Sequence, residues 1–334
     1  MKRIGNLYDR IISVENLVLA DEKARKGKLK SYGVRLHDKN REQNIKDLHK
    51  ILKEGTFKTS DYHVYTLFTP KEREIYRLPY FPDRILHHAI MNVMEDIWVS
   101  IFTFDTYSCI KNRGIHLAAQ KLKKVLRNNP KETAYCLKLD IRKFYPSIDH
   151  EILKKLLRKK IKDKRLLILL DEIIDSADGI PIGNYLSQYF ANLYLAYFDH
   201  WIKEEKQIKY YFRYADDLVI LSGSKEQLRE ILSEIRIYLG EELKLTIKDN
   251  WQIFPVKSRG IDFVGYVFYH THTLMRKSIK QNFCKKIARL KKRDISEKEF
   301  RIQTASWLGW AKHCNSINLL KKLKNESILR PTAG

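Results

Sequence analysis

The chain has 334 residues, 44% of them apolar, which is enough to bury a sizeable core and too many for a disordered segment. Its 64 Lys and Arg against 40 Asp and Glu leave a net charge of +24, which points to a polyanionic partner and to affinity that falls steeply with salt. No apolar run approaches the roughly 20 residues of a membrane span, and Cys109, Cys136, Cys284 and Cys314 lack the paired spacing of a zinc knuckle or a disulfide framework.

Residues 1 to about 60 set charged and apolar positions at helical spacing, with breaks at Gly27, Gly33 and Gly55. Asp9, Arg10, Glu15 and Asn16 interrupt any early apolar stretch that could serve as a secretory core. The segment from Lys71 to Pro79 is basic and β-like. Residues 84–101 align Ile85, Ala89, Val93, Ile97 and Ile101 on one stripe, predicting a buried helix. Cys136 to Ile141 alternates as a short strand. From His150 to Ile174, Leu153, Leu156, Leu157, Ile161, Leu167 and Leu170 form an apolar face opposite dense Lys and Arg. That basic face (Lys154, Lys155, Arg158, Lys159, Lys162) and the stretch from Lys285 to Arg293 are candidates for binding nucleic acid or an acidic surface.

Tyr210 to Tyr214 and Leu218 to Ser222 flank a tight tip, as in a hairpin. A helix is predicted between Lys225 and Leu239, strands over Leu243 to Ile247 and Gly260 to Tyr269, and a basic helical tail from about residue 275. The order predicts an α+β fold, an antiparallel sheet covered by helices on one face.

The acids carry the chemistry. In Tyr214-Ala215-Asp216-Asp217 only a turn lets two adjacent carboxylates serve one site, because neighbours in a strand face opposite ways. Asp-Asp in a turn is by itself ordinary. Asp140, however, ends the apolar strand Cys136-Leu137-Lys138-Leu139, where a carboxylate is costly unless it finds a cation or hydrogen-bond donors. A strand-end Asp and a hairpin-tip Asp on adjacent strands can clamp two Mg²⁺ ions.

Taken together, Leu139-Asp140-Ile141-Arg142-Lys143-Phe144-Tyr145-Pro146-Ser147-Ile148-Asp149-His150 and Tyr214-Ala215-Asp216-Asp217 resemble motifs A and C of reverse transcriptases. The resemblance implies a right-hand polymerase with fingers, palm and helical thumb, and Asp140, Asp216 and Asp217 as catalytic carboxylates. It implies two Mg²⁺ ions, with Mn²⁺ the alternative, held by Asp140, Asp216, the Ile141 carbonyl and, more weakly, Asp217.

Further positions follow from the same resemblance. Tyr145, beside Phe144, matches the aromatic that excludes a 2′-hydroxyl beneath the incoming sugar. Pro181-Ile182-Gly183-Asn184-Tyr185-Leu186-Ser187-Gln188 looks like motif B, where Gly183 would let the backbone approach the nascent base pair and Ile182 and Gln188 would line it. Lys71, Arg73 and Arg77 resemble the fingers strand that grips triphosphate, with Arg73 the leading candidate. Arg113, Gly114 and His116 fall in a template-contacting loop, Ser187 and Tyr214 face template or primer, and Gly265 lies in a primer-grip hairpin. The pattern departs where a pyrophosphate-protonating Lys is expected: Trp251 stands at that place and Lys248 nearby, leaving the general acid undecided.

The resemblance covers roughly residues 65–320 and is nearest to the reverse transcriptases of diversity-generating retroelements. The Ile-Gly-x-x-x-Ser-Gln form at Ile182 to Gln188, the loop Cys109 to His116 and the tail Trp307 to His313 carry it. It implies a cytoplasmic bacterial or phage enzyme without membrane attachment that makes cDNA from an RNA template, with a DNA or RNA primer and dNTPs. Errors would fall at template adenines, and a small basic accessory variability protein would assist. The predicted parts are an N-terminal extension and fingers (1–135), a palm (136–270) with a fingers insertion at about 150–180, and a thumb (271–334). Another small bacterial reverse transcriptase, of phage-defence or group II intron type, is the alternative, and an inert nucleic-acid-binding scaffold a more distant one.

Overall fold

Four helices, Tyr8–Ile12, Val14–Ala24, Tyr32–Asp38 and Arg41–Glu54, account for the helical spacing of the first sixty residues. The computed structural model describes residues 3–68, 72–293 and 295–325. It contains two compact units whose segments alternate along the chain: residues 1–104, 141–205 and 235–247 form the first, and 105–140, 206–234 and 248–334 the second. The segments of the second unit come together because its central strand pairs with segments far along the sequence.

In the first unit, strands β1 (His63–Phe68) and β2 (Glu72–Arg77) form an antiparallel ribbon. The helix Ile85–Val99 is buried as predicted: Ile85 and Ala89 of the stripe are buried, Val93 and Ile97 half-buried, and Leu86, Ile90, Met94 and Trp98 widen the buried face. The apolar face from His150 to Ile174 belongs to two helices, His150–Lys160 and Lys164–Ile174. Asp163 separates them: its carboxylate accepts from Leu166 N as the second helix begins and from Leu7 N and Tyr8 N at 2.7 and 2.9 Å. Part of the basic face is engaged within the fold. Lys154 pairs with Glu151 and Asp175, Arg158 with Asp171, and Lys159 lies 4.2 Å over the Tyr197 ring.

The second unit is built on an antiparallel sheet of β3 (Tyr135–Asp140), β4 (Tyr210–Tyr214), β5 (Asp217–Ser222) and β6 (Gln252–Pro255), in the order β4-β5-β3-β6. Cys136, Phe212, Val219, Leu221 and Phe254 share a core with Ala118, Ala119, Leu122 and Leu126, which fall on one face of the helix Ile115–Asn128. The alternate positions Leu137, Leu139, Leu218 and Ile220 are buried as well, so both faces of the sheet are covered where one was expected.

Leu243 to Ile247 is not a strand. Leu243 closes the helix Lys225–Leu243, and Ile247 makes a single bridge to Ile141. The stretch Gly260 to Tyr269 folds as a hairpin of β7 (Ile261–Phe263) and β8 (Tyr266–Phe268), joined by β9 (Thr273–Met275). Helices Lys277–Leu290, Glu297–Ala311 and Ile317–Asn325 complete the tail. No described helix is long and apolar enough to cross a membrane.

Candidate active site

Strand register brings the acids together. Asp140 lies opposite Asp217 across β3 and β5, and Tyr214 opposite Asp217 across β4 and β5. The hairpin loop is therefore the two residues Ala215-Asp216, with Ala215 at a φ of 54°, as in the primed turns that match strand twist. A left-handed alanine costs roughly 1–2 kcal/mol. Arg213, fully buried, holds the turn by donating Nη1 to the Ala215 carbonyl at 3.1 Å and Nη2 to Thr106 Oγ1 at 3.4 Å. Its backbone bonds Asp105 O and Tyr107 N at 2.9 and 3.0 Å, which ties β4 to the preceding loop. Sequence reading missed Arg213, although a lone arginine amid Tyr210-Tyr211-Phe212 and Tyr214 was the available signal.

Two lysines meet the three acids. Lys248 donates its backbone N–H to the Asp140 carbonyl at 2.8 Å and its Nζ to Asp140 Oδ1 at 2.6 Å, with Asp216 Oδ2 3.9 Å away. Lys138, two residues before Asp140 and so on the same strand face, places Nζ 3.5 Å from Asp217 Oδ2 and also donates to the Asp262 carbonyl. Burial, and then the neighbouring Asp140 carboxylate, push the Asp216 carboxyl up to about 6. Burial also raises Asp217 to about 6, against the pull of Lys138.

The acids fit a hard divalent cation. Asp140 and Asp216 are close enough to repel one another, and the buried Asp217 Oδ1 has no hydrogen-bond partner among the described residues. Among those residues no group of three or more His, Cys, Asp or Glu could hold a metal ion unaided. Asp140 and Asp216 would be the principal holders, and further oxygens would come from backbone and substrate. Asp217, engaged by Lys138, is the outlying member.

The raised Asp216 carboxyl has a consequence for stability. A carboxyl whose value rises on folding favours the protonated state, so its contribution is present below about pH 4 and is lost as pH rises through about 6. Asp216→Asn resembles the protonated form at every pH. It is expected to gain about 1 kcal/mol over the wild type at pH 7.5, after allowance for solvent screening at this partly exposed side chain, and nothing at pH 4. Urea unfolding at both pH values measures the gap, and an equal gap at the two would contradict the assignment.

In the first unit the motif A and motif B segments are bonded together. Ile180 N donates to Tyr145 O at 2.9 Å, and Tyr76 N of β2 donates to Ile182 O at 2.8 Å. Tyr145, Ile182, Gly183 and the end of β2 therefore form one constellation. Phe144 is buried edge-on against Tyr145, with ring centroids 5.7 Å apart, and so supports that ring. Gly183 also has a packing reason, set by a residue distant in sequence. At a φ of 129°, an added Cβ would lie 2.3 Å from the Tyr76 carbonyl oxygen.

Ser187 is buried at the start of the helix Ser187–His200, whereas Gln188 beside it is exposed. Arg77 lines a cavity of about 1120 Å³ together with Lys28, Tyr32, Arg84 and Tyr185, whereas Arg73 stands four residues back along β2. Arg84, burial and Arg77 together lower the Lys28 amine, the mark of cations that converge. Lys71 lies outside the described residues.

The remaining predicted contacts lie in the second unit. His116 stacks on His313 with centroids 4.1 Å apart and has Nδ1 3.3 Å from the Tyr266 hydroxyl, while staying partly exposed. Gly265, at a φ of 86°, would drive a Cβ to within 2.3 Å of the Trp310 ring, so tail packing by itself requires glycine there. Half-buried Arg113 has Nη1 3.5 Å from the Thr106 carbonyl, Gly114 precedes the helix Ile115–Asn128 in open space, and Tyr214 is half-buried at the hairpin.

An antiparallel sheet with one acid at a strand end and two at the tip of the neighbouring hairpin is the palm of a right-hand polymerase. The chain belongs to the reverse transcriptase (RNA-dependent DNA polymerase) family, whose model matches residues 69–268. It is 26% identical over 244 residues to protein YkfC of Escherichia coli, covering 60% of this chain and 62% of that protein. It is 21% identical over 300 residues to the group II intron-encoded protein LtrA of Lactococcus lactis, covering 67% of this chain and 49% of LtrA. The chain thus spans half to three fifths of these relatives. Telomerase from Candida tropicalis, solved with a TWJ fragment of telomeric RNA, shares the fold with a TM-score of 0.51 at 12% identity, over 79% of this chain and 55% of that one.

Proposed function

We propose that the chain is an RNA-directed DNA polymerase working by a two-metal mechanism, and the observation that carries this is the convergence of Asp140 and Asp216 at adjoining strand and hairpin ends. Two divalent ions, Mg²⁺ or Mn²⁺, would activate the primer 3′-hydroxyl and stabilise the leaving pyrophosphate. Tyr145 closes the space under the incoming sugar and rejects a 2′-hydroxyl. Arg77 offers phosphate-binding charge to the incoming nucleotide, and Lys28 and Arg84, with the ring faces of Tyr32 and Tyr185, offer a combination suited to a single-stranded RNA template. The further partners are a DNA or RNA primer and dNTPs.

Within the family we assign the chain to the diversity-generating retroelement type, copying a template RNA with errors at adenines alongside a small basic accessory protein. The support is Ile182 in motif B. Its side chain has no donor or acceptor, and apolar selection by shape is worth only about 1–3 kcal/mol, roughly 10- to 200-fold. Similarity to LtrA favours a second reading, a group II intron-like enzyme.

Primer extension on a defined RNA, followed by sequencing of the cDNA, tests both levels. The wild type is expected to extend with misincorporation concentrated opposite adenine, and Ile182→Gln to extend with fewer such errors. No RNA-templated extension would remove the polymerase reading. Equal error spectra from an active variant would remove the fidelity role of Ile182.

A further inference from the structure

Lys248 is held at the acids by its own backbone. Its N–H is bonded to the carbonyl of Asp140, the same residue whose carboxylate its side chain engages, so the ammonium is anchored within a short side-chain length of Asp140. From there Nζ reaches Asp140 Oδ1 at 2.6 Å and lies 3.9 Å from Asp216 Oδ2, bridging the strand-end carboxylate and the hairpin-turn carboxylate. All three side chains remain about one third exposed, so an ion from solvent can reach the pair and the ammonium can swing away from it. Lys138 engages Asp217 and not this pair, so Lys248 alone of the two lysines bridges Asp140 and Asp216.

From this geometry we infer that Lys248 is a resident counter-cation of the Asp140–Asp216 pair, which a divalent ion must displace before it can bind both carboxylates. The oxygens that would ligate the ion are those the ammonium engages, and the two cations repel at this spacing. The site is therefore kept assembled but weak for metal, and loading is favoured when a polyanion arrives that supplies additional oxygens and a new partner for the freed ammonium. Lys248 is in this sense a positioning residue that sets the metal threshold. The inference rests on the two-metal reading for the identity of the ion, but concerns binding and not turnover.

The test is titration of the purified full chain with Mn²⁺ in the absence of nucleic acid and nucleotide, free ion being read by electron paramagnetic resonance. Lys248→Gln removes the charge and is expected to bind Mn²⁺ about five- to fifty-fold more tightly than the wild type. Lys248→Arg keeps a cation and is expected to stay within about threefold of it. Asp140→Asn is expected to abolish the titratable site in every background. Unchanged or weaker binding by a folded Lys248→Gln chain overturns the inference, as does a Mn²⁺ signal indifferent to Asp140→Asn. A structural role for Lys248 would weaken metal binding on removal, the opposite sign. Absence of RNA-templated extension by the wild type would sink the polymerase reading and leave this displacement result standing.

Discussion

Replacing Asp140 or Asp216 with Asn is expected to lower primer extension by roughly a thousand-fold or more, equivalent to about 4 kcal/mol of transition-state stabilisation. The amide keeps shape and removes the charge that would hold a divalent ion. Template affinity should change by no more than about threefold, because a chain of net charge +24 binds phosphates through its cations, not its acids. Asp217→Asn should fall between these variants and the wild type, since Asp217 faces Lys138 while Lys248 lies with Asp140 and Asp216. Single-turnover extension with an accompanying filter-binding assay separates the two quantities. Asp140→Asn activity within tenfold of the wild type would remove Asp140 from the chemistry.

Gly183→Ala is the second large effect. The added methyl would stand 2.3 Å from the Tyr76 carbonyl oxygen, and that strand segment cannot retreat without breaking the 2.8 Å bond from Tyr76 N to Ile182 O. With a φ of 129° forced on an L-residue as well, the cost is expected to reach about 2–4 kcal/mol, expressed as loosening of the loop from β2. KM for nucleotide should rise more than about tenfold, because Ile182 and Arg77 lose their fixed relation. Gly55→Ala is the control: it shares a positive φ of 70° but meets nothing within 4 Å, and should cost only about 1 kcal/mol and leave KM unchanged. Equal effects from the two substitutions would show that backbone angle, not the Tyr76 contact, governs Gly183.

Asp140 was legible in the sequence because a charge at the end of an apolar strand is a local anomaly, whereas Asp216-Asp217, ordinary in a turn, gained meaning only beside it. The hairpin of β4 and β5 was legible as two β-rich apolar runs separated by a short polar tip. What escaped depends on partners distant in sequence. Strand β6 carries too little apolar pattern in Gln252-Ile253-Phe254-Pro255 to announce itself, and exists because β3 offers it an edge. Asp163 splits a long apolar face because it caps toward Leu7 and Tyr8, some 155 residues earlier. Gly183 and Gly265 were assigned to ligand approach because the Tyr76 carbonyl and the Trp310 ring that exclude a side chain lie far along the chain. Lys248 was noticed only as a neighbour of a missing residue. Its bond to Asp140 joins positions 108 apart.

The strand order β4-β5-β3-β6 also sets a timetable for synthesis. The strand made first, β3, ends in the middle of the sheet, and its two partners are translated about eighty or more residues later. At roughly 5–20 residues per second, an apolar segment with two open edges would wait on the order of 4–16 s outside the ribosome before β5 can pair with it. Both edges are templates for pairing with a wrong strand during that interval. Yield of this chain in a heterologous host should therefore respond more to chaperone supply and elongation speed than to substitutions that stabilise the finished fold.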